Sequence, residues 1–223
     1  MTDTATPPNE FFELLRQGRL NTVAKGEVID TTDSRIPLTL VKEGYIKRYS
    51  ITPDGSQSIQ IIHGPDSFFP LTPICKELLG QALYVGPETF YYETMTNSEI
   101  YTLSFERFVA EVQTNAQLYR DLFYICGTRL SWFIHEAENL ATHDAYNRLA
   151  HKLLFFTQQF GEETSEGISI KLPLTHYDLA SILNVTRETV TANIIKLRDK
   201  HLIKTEHNIL VLDVEGLSAE AYS

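Results

Sequence analysis

Apolar residues in the last quarter of the chain recur at three- and four-residue intervals in two consecutive stretches. This spacing places them on one face of each of two helices, and they are Leu179, Ile182, Leu183, Val190, Ile194 and Leu197. Thr175 and Thr186 stand directly before the two patterns, where a hydroxyl oxygen accepts a hydrogen bond from a free backbone N–H of the first turn. Only Asn184 and Val185 belong to neither pattern. The sequence therefore predicts two capped helices that cross steeply after a very short turn, a helix-turn-helix.

A longer apolar stripe upstream predicts a helix from about residue 115 to residue 140. Its members approximate an alternation of three and four residues, and they are Tyr119, Leu122, Cys126, Leu130, Phe133, Ala137 and Leu140. A stripe of this length needs a partner surface, because an amphipathic helix has to bury its apolar face. The pattern alone leaves two partner surfaces open, the same helix of a second copy and the chain's own N-terminal part.

The region from Asn21 to about Phe105 consists of short alternating segments separated by glycines, a pattern typical of a compact β barrel or roll. The turn sequence at residues 53–55, Pro-Asp-Gly, predicts a hairpin within it. Together these patterns predict an α+β chain in three parts. Residues 1–113 form the β domain with flanking helices, residues 114–141 the long helix, and residues 142–223 a helix-turn-helix domain with a β wing.

The start of the second short helix carries Arg187 and Glu188, two side chains suited to reading DNA bases. A guanidinium donates two hydrogen bonds to guanine, and a carboxylate accepts one from N4 of cytosine. Thr191 and Asn193 are weaker base-reading candidates on the same helix. Groups suited to phosphate contacts lie on both helices and on the wing, at Thr175, Thr186, Thr189, Lys196, Lys204 and His207. The alternative is a winged domain for protein contacts, in which Arg187 and Glu188 form a surface ion pair.

The net charge of −10 agrees with DNA binding only when it is divided along the chain. Residues 171–212 contain six Lys or Arg against four Asp or Glu, so this part is basic and the remainder is more acidic than the whole. The positive charge is therefore concentrated where DNA would lie. The acidic remainder disfavours non-specific wrapping of the duplex.

Several function classes are excluded by what the sequence lacks. Cys75 and Cys126 are far apart and have no metal-type spacing, so neither a disulfide framework nor a zinc module is expected. No apolar run has membrane-spanning length, and the first residues lack an export-signal pattern. His63 is the only histidine of the β region, so a two-histidine, one-carboxylate iron site has no ligands there. We expect a cytoplasmic protein that is not an enzyme and carries no cofactor.

The helix-turn-helix segment resembles the Crp/Fnr family of transcription regulators, through the run Thr-Arg-Glu-Thr-Val at residues 186–190. The runs at residues 25–29 and 44–49, followed by Asp-Gly at 54–55, are similar in order and spacing to that family's cyclic-nucleotide-binding β-roll, a double-stranded β-helix. The resemblance implies a homodimer on double-stranded DNA with RNA polymerase as a further partner. Ala192 stands where many members have a second base-reading arginine, so the half-site is expected to differ from the commonest family sequence.

The ligand cradle implied by the resemblance does not match. Alignment on the aromatic pair at residues 68–69 puts Pro70 at a glycine and Leu71 at a glutamate, while Glu88, next to Thr89, falls where an arginine pairs with the cyclic phosphate. Pro70 has no N–H to donate, and a carboxylate at residue 88 repels an anion. We expect a degenerate pocket that does not bind cyclic AMP in the usual way.

The sequence contains candidate residues for some other effectors of the family and lacks them for others. An iron–sulfur cluster needs about four cysteine ligands, which this chain lacks. Haem would need His63, Cys75 or His135 as an axial ligand. An apolar ligand would use aromatic side chains that otherwise fill the core of the roll, among them Phe68, Phe69, Tyr84, Phe90, Tyr91 and Tyr92. The effector stays unidentified, and a protein-interaction module that kept the fold without effector control is the competing function.

Overall fold

The computed structural model describes residues 9–29, 37–71, 73–74, 78, 90–205 and 208–223. The chain divides into two compact units. The first comprises Met1–Ile51 and Gln60–Phe133, and the second comprises Thr52–Ile59 and Ile134–Ser223. No helix in the described ranges is long and apolar enough to cross a bilayer.

The first unit contains antiparallel sheets flanked by helices. Its elements are α1 (Asn9–Arg16), β1 (Arg19–Val23), β2 (Val28–Ile29), β3 (Leu38–Glu43), β4 (Ile46–Ile51), β5 (Gln57–His63), β6 (Phe68–Phe69), β7 (Tyr91–Thr94), β8 (Ser98–Leu103), α2 (Phe105–Thr114) and the long helix α3 (Ala116–Thr142), with β5 and α3 continuing into the second unit. One sheet has the order β1-β8-β3-β6, and the other has the order β2-β7-β4-β5. The two sheets have the short antiparallel strands that the alternating sequence predicts.

The core of the first unit lies between the sheets and the helices. The α1 side chains Phe11 and Leu15 are completely buried, and the ring of Phe11 lies 4.7 Å from that of Phe68 and 5.6 Å from that of Phe108. In the second apolar cluster, Phe69 and Tyr92 stack with their ring centroids 4.2 Å apart. The buried aromatic side chains thus fill the core.

The second unit is built on helix α4 and a small sheet. Its further elements are α4 (Ala145–Phe160), β9 (Gly161–Thr164), β10 (Gly167–Ile170), α5 (His176–Leu183), α6 (Arg187–Asp199), β11 (Ile203–Thr205), β12 (Ile209–Val211) and α7 (Val214–Ala221). The sheet order is β11-β12-β10-β9. The α+β prediction, with sheets first, then a long helix and then a helix-turn-helix, is confirmed.

Candidate DNA-binding site

Both helices of the helix-turn-helix begin at the predicted caps. The Thr175 hydroxyl oxygen accepts from the Asp178 N–H at 3.1 Å, and Asp178 Oδ2 accepts from the Thr175 N–H at 2.9 Å, which completes a capping box. At α6, the Thr186 hydroxyl accepts from the Thr189 N–H at 3.2 Å. These bonds satisfy backbone donors that the first turns leave free. The start of each helix is therefore fixed by a local contact.

The turn between α5 and α6 is short because one residue takes a left-handed conformation. Asn184 has φ 52° and ψ 50° at the C-terminal cap of α5. Asn tolerates this region better than most residues with a Cβ. The Val185 N–H then donates to the Ala180 carbonyl at 3.1 Å. Two residues after the cap, Thr186 opens α6.

Arg187 and Glu188 occupy the first two positions of α6 and are both exposed. No ion pair joins them to each other, or to any other residue in the described ranges. The surface ion pair considered as an alternative is therefore not formed. The guanidinium and the carboxylate are both available to an external hydrogen-bonding partner.

The two weaker base-reading candidates are differently placed. Asn193 is only 6 % exposed and lies among the buried residues of α6, so its expected role in base reading is corrected. Its position, three residues after Val190 and one before Ile194, turns it inward. Thr191 is half-buried, and its hydroxyl donates to the Arg187 carbonyl at 2.9 Å. That hydroxyl also lies 2.9 Å from Nδ1 of His176, which is then the donor, since the hydroxyl has a single hydrogen.

The predicted phosphate contacts fall into two groups. The hydroxyls of Thr175, Thr186 and Thr189 are engaged at the helix starts, where the Thr186 and Thr189 oxygens are 3.0 Å apart. Lys196 is exposed on α6, and its Nζ lies 5.7 Å from the ring centre of Tyr146. Lys204 is exposed on β11 and forms an ion pair with Glu166. The remaining candidate, His207, lies outside the described residues.

The outward face of α6 includes one apolar side chain that the sequence reasoning missed. Ile195 is 46 % exposed, although its neighbour Ile194 is buried. It follows Ala192 by three residues and Glu188 by seven, so these three residues lie on the same side of α6. That spacing was the signal available in the sequence. Apolar side chains on such a face contact the methyl group of thymine.

A second surface of interest is on α3, where the predicted stripe separates into two faces. Leu118, Leu122 and Ile125 are buried in the core of the first unit, and Cys126 packs against that core. Leu122 and Cys126 therefore face the chain's own core, which corrects their assignment to a dimer interface. Apart from Tyr124, the exposed apolar side chains of α3 share the other face, and they are Tyr119, Phe123, Leu130, Phe133, Ile134, Ala137 and Leu140. We call this set the outer face of α3.

The predicted ligand pocket is only partly described. Pro70 is buried and Leu71 is half-buried, whereas Glu88 and Thr89 lie outside the described residues, as do Cys75 and Tyr84. Phe68, Phe69 and Tyr92 fill the core. Phe90 lies under the guanidinium of Arg48 at 3.7 Å, and Tyr91 stacks on Tyr49 at 5.4 Å.

The two candidate haem ligands in the described ranges have protein partners. His63 is 2 % exposed, and its Nδ1 lies 2.8 Å from the Ser67 hydroxyl. His135 Nε2 lies 3.1 Å from Nε2 of His151 in the second unit. In the described part of the chain, no three His, Cys, Asp or Glu side chains form a group that could hold a metal ion.

Among the comparisons with known proteins, the C-terminal part of the chain gives the match to a family. Residues 147–220 match the family described as a Crp-like helix-turn-helix domain. Over 185 residues the chain is 23% identical to the CRP-like cAMP-activated global transcriptional regulator of Mycobacterium tuberculosis, covering 82% of this chain and 79% of that protein. Over 66 residues it is 39% identical to the global nitrogen regulator of Nostoc sp., covering 30% of each.

Solved structures are similar in fold over most of the chain. One neighbour is TTHA1359, a transcriptional regulator of the CRP/FNR family from Thermus thermophilus, with a TM-score of 0.68 and 24% identity. The match covers 92% of this chain and 99% of that one. The similarity thus extends from the N-terminal sheets to the helix-turn-helix.

Proposed function

We propose that the chain is a transcription regulator of the Crp/Fnr family with a helix-turn-helix DNA-binding domain, and that it binds a palindromic operator as a homodimer. In this proposal the N-terminal end of α6 enters the major groove. Arg187 donates to guanine, and Glu188 accepts from cytosine. Lys196 and Lys204 contact phosphates, which fixes the protein on the duplex without reading sequence.

The observation that carries the proposal is the exposed start of α6. Arg187 stands on the first turn of a capped helix, with no ion pair in the described ranges to compete with a base. Thr186 fixes this turn through its bond to the Thr189 N–H. The backbone of this turn is fixed before binding and loses little further conformational freedom on DNA, so the geometry favours direct readout.

Selection of the full-length protein on a random DNA pool tests this function. We expect an enriched palindrome with half-site centres about 34 Å apart. Arg187→Ala should cost about 1–3 kcal/mol on that operator and relax the preference at one base pair. Lys196→Ala, on the same helix, is the matched control and should weaken binding to all sequences alike. Equal losses on operator and random DNA for Arg187→Ala would refute base reading.

The absence of any enriched palindrome, with or without cell extract, would favour a protein-interaction module instead. Recovery only with extract would indicate that an effector is required. The selection therefore separates the two candidate functions.

The outer face of α3 supports the second copy as its occupant. Phe123 is 82 % exposed and Leu130 is 61 % exposed, fractions that are unusual for large apolar side chains on a helix. Members of the family bind DNA typically as dimers, and a two-fold axis along this helix presents two copies of α6 to adjacent grooves. Burial of the outer face in a helix pair would remove this apolar surface from water.

Sedimentation at micromolar concentration tests the dimer. We expect the parent protein to sediment as a dimer, and Phe123→Glu and Leu130→Glu as monomers, because each places a carboxylate at the centre of the pair. Leu20→Glu is the matched control, since Leu20 is an exposed apolar residue on β1 and does not belong to α3. A monomeric parent protein would remove the basis for a palindromic operator.

The relative from Mycobacterium tuberculosis is described as cAMP-activated, but we propose that cyclic AMP does not control this chain. Pro70 has no N–H to donate to a phosphate, and Leu71 offers no carboxylate to a ribose. Calorimetry with cyclic AMP and cyclic GMP tests this, and micromolar binding of either would overturn it.

A further inference from the structure

Two histidine rings meet between the C-terminal part of α3 and helix α4, both within the second unit. Nε2 of His135 on α3 lies 3.1 Å from Nε2 of His151 on α4. The two ring planes are inclined by 59°, so the rings meet through these nitrogens and do not stack. His135 is exposed, whereas His151 is 8 % exposed. The pair is therefore open to solvent on one side and buried on the other.

A carboxylate faces the far nitrogen of each ring. Glu136 Oε1 lies 3.8 Å from Nδ1 of His151, and Glu138 Oε2 lies 4.0 Å from Nδ1 of His135. Glu136 Oε1 is buried and has no hydrogen-bond partner, while Oε2 of the same side chain pairs with Lys152. Buried polar atoms are almost always hydrogen-bonded. Both carboxylates therefore favour a proton on the Nδ1 atom that faces them.

The protons of two neutral imidazoles cannot satisfy all of these contacts. A neutral imidazole carries one N–H, on either nitrogen. If one ring donates from Nε2 to the other ring, its own Nδ1 turns a lone pair toward a carboxylate. If both rings keep the proton on Nδ1, two Nε2 lone pairs face each other at 3.1 Å. A cation between the Nε2 atoms removes the conflict, because it accepts both lone pairs and leaves both protons on Nδ1.

The neighbouring amide of Asn139 does not occupy these lone pairs. Its Nδ2 lies 3.0 Å from Nε2 of His151 and 3.2 Å from Nδ1 of the same ring. An atom in the ring plane at both distances would overlap Cε1, so the amide lies over the face of the ring. The lone pairs of the ring nitrogens lie in the ring plane, and hydrogen bonds weaken steeply away from that direction. Nε2 of His151 therefore remains available to a cation.

We infer that His135 and His151 bind a zinc ion through their Nε2 atoms, with water completing the coordination. Zinc–nitrogen bonds are about 2.0–2.1 Å long, so two of them to nitrogens 3.1 Å apart enclose an angle of about 98°, between the square-planar and tetrahedral values. Imidazole suits zinc and similar transition metals, whereas magnesium and calcium prefer oxygen ligands. Glu136 and Glu138 then accept from the Nδ1 atoms, as carboxylates behind metal-bound histidines commonly do.

Protonation of the buried ring does not compete with the metal ion near neutral pH. Burial is the largest cause of the lowered pKa of His151; Glu136 opposes it, and the charges of His135, Lys152 and His143 add to it. The ring is therefore neutral, and a metal ion binds its lone pair without displacing a proton.

The proposed site is smaller than a structural zinc module. It contains no cysteine, and in the described part of the chain no three His, Cys, Asp or Glu side chains form a group that could hold a metal ion. Two protein ligands leave the other coordination positions to water, as in zinc sites that keep an open position. We therefore expect a dissociation constant in roughly the micromolar range, weaker than that of a four-ligand structural site.

Isothermal calorimetry on the full-length protein, without affinity tag or DNA, tests the site with zinc chloride and magnesium chloride. We expect saturable binding of one zinc ion per chain and no saturable binding of magnesium. X-ray absorption at the zinc edge should show nitrogen or oxygen neighbours at about 2.0–2.1 Å and no sulfur neighbour at about 2.3 Å. Equal binding of the two cations, or a sulfur neighbour at the zinc, would overturn the inference.

His135→Gln should weaken zinc binding by at least about tenfold, because it removes one of two protein ligands. His151→Gln should do the same, and the exposed position of His135 keeps the test available if the buried variant does not fold. His201→Gln is the matched control, since His201 is exposed in the second unit and belongs to neither helix. Unchanged zinc binding by His135→Gln, or no saturable zinc binding by the parent protein, would refute the site. These readouts involve no DNA, so a failure of operator binding would not alter them.

Discussion

Acid should destabilise the first unit through one histidine. His63 is the only histidine among Met1–Ile51 and Gln60–Phe133, and it is buried beside the stacked rings of Phe69 and Tyr92. Burial and the charges of Arg129 and Arg48 hold its pKa well below the usual value. Its Nδ1 lies 2.8 Å from the Ser67 hydroxyl, and in the described part of the chain no carboxylate forms an ion pair with it.

The sign and size of the effect follow from proton linkage. Because the folded-state pKa is depressed, the unfolded chain binds more protons than the folded chain once the pH falls through about 6.5. Stability is therefore highest above pH 6.5 and declines as the pH falls below it. The decline reaches at most about 1.4 kcal/mol per pH unit, so one neutral buried imidazole accounts for up to about 2 kcal/mol between pH 7 and pH 5.

Urea unfolding followed by fluorescence measures the pH dependence of stability in the first unit. Trp132 is the single tryptophan and belongs to the first unit, so its emission reports that unit. His63→Gln should lower stability at pH 7 but should remove most of the difference between pH 7 and pH 5. His201→Gln, at an exposed position of the second unit, is the matched control and should leave that difference unchanged. If the pH dependence survives in His63→Gln, the buried imidazole is not its cause.

Two further changes test the second unit. Thr186→Ala removes the cap of α6 and should lower the free energy of unfolding by about 1 kcal/mol, measured by urea unfolding. Thr186→Ser keeps the capping hydroxyl and should keep the parent stability. Equal stability of the two variants would argue against the cap. Lys152 is 7 % exposed and forms an ion pair with Glu136, whose Oε1 has no hydrogen-bond partner. Lys152→Met should therefore cost about 3 kcal/mol, while adding Glu136→Leu should recover most of it; no difference between single and double variants would contradict this account.

The helix-turn-helix was predictable because its determinants are local. Thr175 and Thr186 cap helices through bonds to residues three positions on, and such bonds depend only on nearby sequence. The outward position of Arg187 follows from the same register. The inward position of Asn193 follows from it as well, but its polar side chain suggested exposure. At residue 193 the helical register determines burial, although the side chain is polar.

The long helix shows where the pattern was insufficient. The predicted stripe assumed a single apolar face, whereas Leu122 belongs to a buried face and Phe123 to an exposed one. Adjacent residues on a helix are about 100° apart, so two apolar faces of one helix merge into a single broad stripe in the sequence. Which face meets the chain's own core depends on the position of the sheets. The position of the sheets is set by the tertiary structure, and the spacing of apolar residues along the chain does not determine it.

The same helix explains why the position of Arg129 was not predicted from the sequence. Arg129 follows Ile125 by four residues and Leu122 by seven, so it continues the buried face by one further turn. An arginine at the end of an apolar pattern is normally read as the solvent boundary, because its charge favours water. Here the ring and carbonyl of Phe68 cover the guanidinium instead. The register that buries Leu122 thereby places Arg129 against Phe68, which is a consequence of helix geometry that composition does not reveal.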